Sequence, residues 1–566
     1  MSGKTTGLKR SVRARFEKLK RRKVAPNEVI SPELSRDLAR LSFESGRQAG
    51  LLLDRSGRVH MVLVGDAQSI MIPELAESRV ERRRLRGLRF VHTHLKGESI
   101  SRDDLMDLVF LRLDCLGVVH VDEHGGATTL ELAHILPENK GDHQGWEIHP
   151  PTPCRQPGID FLQLVHSLED EMERNRSAMP AGRHGDRAIL VSVTDTDRKT
   201  ATERLEELGQ LARTSGIVVA DKVIQRYRQI NPKHLIGKGK LSEISIRALQ
   251  IGVDLLIFDQ ELNPSQIRAL TDLTELRVID RTQLILDIFA QRAQSREGKI
   301  QVEMAQLKYL RPRLGVRDDA LSRLTGGIGA RGPGETKLEI DRRRINERIT
   351  RLEDQLKVLR KNRAQKRALR LRKKMPTISI VGYTNAGKST LLNALTKSRV
   401  FVEDQLFATL DPSSKRLRFP RDFEAVITDT VGFIRDLPQD LVDAFAATLE
   451  ELDEADLLLH VVDVSAPDMD EQIEAVGNIL KKLGLSQKPM ILVFNKMDLV
   501  PPELLKPVAK RYGGVTISAL SRSTLKPLIR KMETHIERLC LTGADSPEAV
   551  QKRAASPSVQ GTNAVG

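Results

Sequence analysis

The sequence predicts an α/β multidomain protein: three α/β units, with a long helical hairpin between the second and the third. Three observations predict it. Short β-rich runs alternate with helical stretches. An apolar seam of helical period is interrupted by a glycine-rich loop. At 566 residues the chain exceeds what one compact core accommodates.

The elements follow in order. Residues 1–24 read as a basic arm. Residues 27–140 alternate strands (50–54, 59–64, 88–92, 116–121) with helical stretches, an extra N-terminal α/β domain. Residues 141–186 read as linker and helix, the polar, proline-rich stretch from Leu136 to Gly158 being the linker proper. A second α/β unit with a mostly parallel sheet spans 187–292, from strand 188–193 through helix 200–214 to strands 217–219, 254–259 and 277–280. The hairpin spans 293–374. Ile300, Met304, Leu307 and Leu314 form one apolar stripe, and Ile345, Ile349, Leu352, Leu356 and Leu359 repeat at spacings of 4, 3, 4, 3. Between them Gly326-Gly-Ile-Gly-Ala-Arg-Gly-Pro-Gly334 cannot be helical, with five glycines and a proline in nine residues. The third unit spans 375–540, and residues 541–566, rich in Ala, Ser, Pro and Gly, read as a disordered tail.

The net charge of +15 is concentrated: residues 1–23 carry +9 and residues 340–374 carry +11, so the remainder is slightly acidic. The run 357–374 holds ten Lys or Arg and no acid, which suits either a phosphate backbone or a solvated helix face. A 3% aromatic content argues against a ring-rich stacking surface. Cys115, Cys154 and Cys540 lie far apart with no CxxC pair, which excludes a disulfide framework and fits a reducing cytosol. No apolar run reaches the ~18 residues of a membrane span, and the basic N-terminus lacks the apolar stretch of a signal peptide. A cytoplasmic monomer is expected.

The strongest chemical signal is Gly382, Tyr383, Thr384, Asn385, Ala386, Gly387, Lys388 and Ser389, the pattern GxxxxGK[ST] after a strand and before a helix. Its backbone N–H groups can cradle phosphates. Lys388 reaches the β- and γ-phosphates, and Ser389 ligates Mg²⁺. Asp429, Thr430, Val431 and Gly432 follow an apolar strand: Asp429 holds the metal through water, and the Gly432 N–H meets the γ-phosphate. Between the two motifs lie Phe407, Ala408, Thr409, Leu410 and Asp411, where the Thr409 hydroxyl completes the Mg²⁺ shell. Asn495, Lys496, Met497 and Asp498 follow another strand. The Asp498 carboxylate accepts guanine N1–H and N2–H, a donor pair adenine lacks. Ser518, Ala519 and Leu520 supply the last base contact. Five motifs in order on strand ends define a P-loop domain that binds GTP/GDP. Many GTPases place a water-orienting glutamine after DxxG; Phe433 stands there, which predicts slow intrinsic hydrolysis and a partner. In GTPases with an asparagine at the position of Asn385, it helps hold K⁺; here it either does so or satisfies the loop backbone.

These residues resemble the HflX family of ribosome-associated GTPases. The resemblance covers about 187–540 and includes 278–282, 286–292, the loop 326–336, the P-loop, 404–412 and 429–434, where Phe433 belongs to the family pattern. It implies an α/β N-domain, a helical hairpin and a GTPase domain. It also implies binding to the large ribosomal subunit and ribosomal RNA, with GTP-dependent splitting or rescue of stalled ribosomes under stress. The glycine loop, which carries Arg331 and lies close to Lys337, suits insertion into ribosomal RNA. The alternative is an RNA-binding assembly module that uses GTP as a regulatory ligand. Some family members have an extra C-terminal domain, whereas only a short polar tail follows here.

The first domain lies outside that resemblance. There His92-Thr-His94 on a strand, then Ser101-Arg-Asp-Asp104, resembles the zinc site of JAMM and RadC-type proteins, in which His92, His94 and Asp104 would be the ligands. Two departures stand out: the spacing before the serine is one residue short, and residues 51–72 contain no glutamate base. SxxD before an apolar helix is also a capping box with Asp in place of Glu, and paired histidines on a strand also suit a solvent-facing side; a degenerate docking module is the favoured reading. The loop Ile236-Gly-Lys-Gly-Lys240 suits a phosphate or a flexible basic turn.

Overall fold

The computed structural model describes residues 1–73, 75, 85–137, 145–156, 159–177, 186–227, 235–314, 337–372, 375–396, 406–407, 413–420, 424–435 and 452–542. The described residues fall into two compact units, one of residues 1–281 and one of 282–314 with 337–542.

The first unit holds two sheets. The larger has the order β1-β3-β2-β4-β5-β6-β7, from β1 (Ser2–Gly3), β2 (Ala49–Asp54), β3 (Val59–Val64), β4 (Leu88–His94), β5 (Cys115–Val121), β6 (Ala127–Ile135) and β7 (Trp146–Pro153). It is mixed: β4 pairs parallel with β5, whereas β2–β3, β2–β4, β5–β6 and β6–β7 are antiparallel. Alternating residues face two cores. Leu51, Val91 and Leu132 pack with α1 (Arg10–Leu19), α2 (Pro32–Ser45) and the start of α4 (Phe161–Ser177). Leu52, Phe90 and Ala133 pack on the other side with α3 (Arg102–Phe110), Met172 of α4, and Ile246 and Leu249 of α6 (Lys238–Ile251).

Two expectations change here. The basic arm is part of the fold: Val12, Phe16 and Leu19 sit one turn apart on α1 and are buried, while its charges face solvent. Positive charge masks that apolar stripe in a composition-based reading. The proline-rich linker contains β7, which pairs with β6 as the last strand of the sheet. Proline is tolerated at an edge, where a missing N–H breaks no ladder.

The second sheet, β11-β10-β8-β9, is wholly parallel: β8 (Arg187–Thr194), β9 (Val218–Arg226), β10 (Leu255–Phe258) and β11 (Arg277–Asp280). α5 (Arg198–Thr214) packs on β8 and β9, and α6 and α7 (Pro264–Thr274) join the core through Leu241, Ile244, Ile267 and Leu270. Because Ile246 and Leu249 of the same α6 face the first sheet, the two expected domains share one unit. Arg86 and Arg112 also both reach Glu275, the left-handed cap of α7.

In the second unit, α8 (Arg281–Arg292) precedes the hairpin of α9 (Arg296–Leu310) and α10 (Lys337–Arg372). Ile300 and Met304 pack on Ile349, Leu352 and Leu356, with Leu307, Ile345 and Leu359 against them. Leu314 lies past the 3-10 turn Arg311–Arg313 and is not in that cluster. The loop 326–336 and the side chains of most of the basic run fall outside the described residues. The remaining sheet has the order β13-β14-β12-β15-β16-β17: β12 (Thr377–Gly382), β13 (Ser413–Arg418), β14 (Glu424–Asp429), β15 (Leu457–Asp463), β16 (Met490–Asn495) and β17 (Val515–Thr516). All its pairs are parallel except β13–β14. α11 (Lys388–Thr396) is followed by α12 (Met469–Lys482), α13 (Pro502–Tyr512) and α14 (Lys526–Thr542); α11 and α14 contribute Leu391, Leu392, Leu528 and Met532 to its core. Residues 541–542, expected in the tail, end α14.

Candidate nucleotide site and a histidine cluster

The nucleotide motifs converge at the C-terminal ends of β12, β14 and β16, where parallel strands leave a crevice. Residues 382–389 turn from β12 into α11. Gly382 sits at φ 153°, and a Cβ there would lie 2.2 Å from Val461 O, so only glycine fits. Asn385 is exposed at φ 60°, a left-handed conformation asparagine tolerates, which accounts for the residue by backbone alone. Asp429, opposite Ile380, is buried and accepts the Ser389 hydroxyl at 2.6 Å. Thr430 caps the arrangement by donating to Ile380 O at 2.6 Å.

Lys388 is buried, and its Nζ donates to Tyr383 O at 2.7 Å. Burial pushes its pKa down to about 8, against the pull of Asp429. Gly432 lies directly beside this ammonium group: a Cβ on it would be 3.0 Å from Lys388 Nζ. Phe433 is buried and pinned by its backbone, accepting from Thr384 N at 2.8 Å and donating to Gly382 O at 3.1 Å. Val431 is buried too.

Asn495 ends β16 and joins two loops. Its Nδ2 donates to Ala386 O, and its Oδ1 accepts from Ala519 N, each at 2.9 Å. Lys496, at φ 63°, pairs with Asp463 at 2.7 Å. Met497 and Asp498 form a short 3-10 turn, with the Asp498 side chain exposed. Ser518 and Ala519 are buried and Leu520 is 81% exposed. Phe407 is buried at φ 57° and meets Phe289 of α8 edge-on at 4.6 Å. Ala408, Thr409, Leu410 and Asp411 lie outside the described residues.

Sequence reading missed three participants. His460 on β15, opposite Val381, is buried, and its pKa is pushed to about 4 by burial and by Lys388. Asp463 holds Lys496. Arg435 spans Asp468 and Glu471, and its N–H donates to Tyr383 Oη at 2.8 Å. The signal for His460 is a single polar residue inside the apolar run Leu457-Leu-Leu-His-Val-Val-Asp463.

In the first unit the structure brings His92, His94 and Asp104 together, all buried. The two Nε2 atoms are 3.0 Å apart; Asp104 Oδ1 is 3.1 Å from His92 Nε2, and Oδ2 is 3.5 Å from His94 Nε2. His94 Nδ1 lies 2.8 Å from Glu98 O, so the ring is held by its backbone neighbour while Nε2 faces His92 and Asp104. Burial lowers the His92 pKa; for His94, hydrogen bonding to Asp104 outweighs burial and raises it. Burial opposes ionisation of Asp104, yet the two histidines hold it below the usual carboxylate range. Ser101 and Asp104 also form a capping box at the start of α3. The capping and clustering readings are therefore both realised by the same aspartate. The loop 236–240 leads into α6, whose N-cap Gly237 makes no side-chain cap.

Family profiles match in succession: "GTP-binding GTPase N-terminal" over 202–290, "GTP-binding GTPase Middle Region" over 292–370 and "50S ribosome-binding GTPase" over 377–496. GTPase HflX of Caldanaerobacter subterraneus subsp. tengcongensis is 49% identical over 354 residues, 62% of this chain and 81% of that protein. GTPase HflX of Escherichia coli K12 is 47% identical over 316 residues, 56% and 74%. The GDP complex of SsGBP is 26% identical over 62% of this chain and 99% of that one, but at a TM-score of 0.37 it carries no argument. Among the described residues no helix is long and apolar enough to cross a membrane. With the nucleotide motifs gathered on one crevice and these relatives matched over most of their length, the chain belongs to the HflX family of P-loop GTP hydrolases.

Proposed function

We propose that the protein binds the large ribosomal subunit and couples GTP binding and hydrolysis to splitting, recycling or rescue of ribosomes, the stalled ones of a stressed cell being the substrate. The observation that carries this reading is Phe433: buried and held at both backbone ends, it leaves the position after DxxG without a group that can orient water. A slow GTPase of this kind needs a partner to complete its site, and the match to a "50S ribosome-binding GTPase" profile indicates which partner to test. Lys388 binds the β- and γ-phosphates, and the Gly432 N–H meets the γ-phosphate. The hydroxyl of Ser389 and the carboxylate of Asp429, 2.6 Å apart, are hard oxygen donors suited to Mg²⁺, with Thr409 completing the set. Asp498 accepts from guanine, and Asn385 is the candidate K⁺ contact. The hairpin loop and the basic run of α10 meet ribosomal RNA through phosphates.

The test is GTP turnover in potassium buffer with and without purified large subunits. Strong stimulation is expected. Unstimulated turnover with GTP still bound favours the assembly-module alternative.

The histidine cluster supports a second reading, a zinc site used by a docking module. Tetrahedral zinc with bonds of about 2.0–2.2 Å needs ligand atoms about 3.3–3.6 Å apart; the two imidazole nitrogens are 3.0 Å apart, and the Asp104 carboxylate approaches them at 3.1 Å through Oδ1 and 3.5 Å through Oδ2. Peptidase chemistry is not part of it, since residues 51–72 offer no glutamate base. Metal analysis of the full chain, with and without His92→Ala and His94→Ala, rejects the site if the zinc content does not depend on them.

A further inference from the structure

We propose that the outer hairpin of the first sheet carries a separate site for a divalent transition metal such as zinc, with His134, Glu147 and His149 as its ligands. In the β6–β7 register His134 stands opposite Glu147, and Leu132 stands opposite His149. Cross-strand partners share a face, as do residues two apart on one strand, so the three side chains project to the same side. Their ligand atoms all lie within 4.8 Å of one another. The two imidazole rings are 5.0 Å apart and tilted by 39°.

The polar atoms there do not satisfy one another. His134 Nδ1 lies 3.2 Å from Ile135 O, and as a donor to that carbonyl it leaves a lone pair on Nε2. That lone pair faces Glu147 Oε2 at 3.7 Å, one acceptor against another. His134 itself is 3% exposed, so bulk water does not reach between the two groups. His149 Nε2 is buried with no hydrogen-bond partner. A cation accepting both imidazole nitrogens and the carboxylate answers all three atoms at once. Two nitrogens and one oxygen suit zinc, with water completing an open shell. Tetrahedral zinc asks for ligand spacings of about 3.3–3.6 Å. The Glu147 side chain, 52% exposed, is free to swing into that range.

The site is independent of His92, His94 and Asp104. Leu132 packs in the core beside α2, whereas Ala133 and Ile135 pack in the core beside α3. His134 therefore shares the α2 side, while His92 and His94 alternate with Val91 and share the α3 side with Phe90. A metal here would fasten the edge strand β7 to its neighbour β6 in addition to their ladder.

The test uses the full chain, stripped with chelator and titrated with Zn²⁺, with Co²⁺ absorption as the optical probe. With His92→Asn and His94→Asn introduced together, one equivalent of zinc should still bind. His149→Asn added to that background should weaken it at least tenfold, and Glu147→Gln should do the same. In the wild-type background each change should remove one equivalent and its share of the Co²⁺ signal, with GTP affinity unaltered. Zinc should also raise the melting temperature of the wild type more than that of His149→Asn, whose metal-free melting temperature reports that it is folded. Zinc stoichiometry and affinity that are the same with and without His149→Asn and Glu147→Gln would overturn the proposal.

Discussion

The Asn495 carboxamide is hydrogen-bonded to the Ala386 carbonyl at 2.9 Å, tying the loop after β16 to the phosphate loop, while its oxygen accepts from Ala519 N. One buried side chain thus holds three motifs in register. Asn495→Ala leaves a buried carbonyl and a buried N–H without partners, at about 1–3 kcal/mol each. We expect a loss of roughly 2–4 kcal/mol in urea unfolding, with GTP and GDP affinity both falling about tenfold or more. Gly387→Ala should mimic the nucleotide defect, because its Cβ would lie 2.2 Å from Asn495 Nδ2 at φ 89°. Unchanged affinity in both variants would count against the bridge.

Lys388→Ala should abolish measurable GTP binding. The wild type should also show a pH dependence of known sign. With a pKa pushed down to about 8, Lys388 is charged below that pH and increasingly neutral above it. Phosphate binding favours the charged form, so GTP affinity should fall as pH rises from 8 to 9.5, by up to about tenfold per unit. A flat affinity profile over that range would remove Lys388 from phosphate contact.

Asp498 is exposed at the mouth of the crevice, able to meet a base edge. Asp498→Asn should reduce GTP-over-ATP preference by roughly 100-fold, since a site built around a donor pair discriminates strongly. Competition binding with both nucleotides decides it.

Restoring a glutamine after DxxG should not create a fast enzyme. Phe433→Gln places an amide in a core position and should cost about 2–4 kcal/mol. Turnover without ribosomes should stay at or below the wild-type rate. A faster variant would mean that residue 433 does reach the nucleophilic water.

His460 should make stability pH-dependent. Its folded pKa of about 4 lies below the ordinary histidine value of 6.5, so the unfolded chain binds the extra proton between those values. The neutral-histidine contribution is complete above pH 6.5 and is lost as pH falls toward 4, at most about 3 kcal/mol. His460→Leu should flatten that part of the curve in denaturant titrations at successive pH values.

Much of this protein was legible in one dimension because its determinants are local. The glycines of 382–389 and the acid at the end of β14 sit where strand, loop and helix propensities already agree. The heptad spacing of Ile345, Ile349, Leu352, Leu356 and Leu359 likewise marks a seam without reference to its partner. Harder to read were the segments whose role depends on what covers them. Residues 1–24 look like a charged arm until Phe16 of α1 is seen buried in the core of the first sheet, and 146–153 look like a linker until β6 supplies the ladder.

The amino-acid sequence alone determined the order of the units, the class of nucleotide site and the family, because phosphate loops and heptads are written in contiguous residues. Only the tertiary structure decided which distant groups meet: His460 beneath Lys388, Asn495 between two loops, α6 shared by two sheets, and two histidine clusters on opposite faces of one sheet. Such meetings depend on strand register and on which face each side chain takes, and in a mixed sheet pairing across dozens of residues sets both.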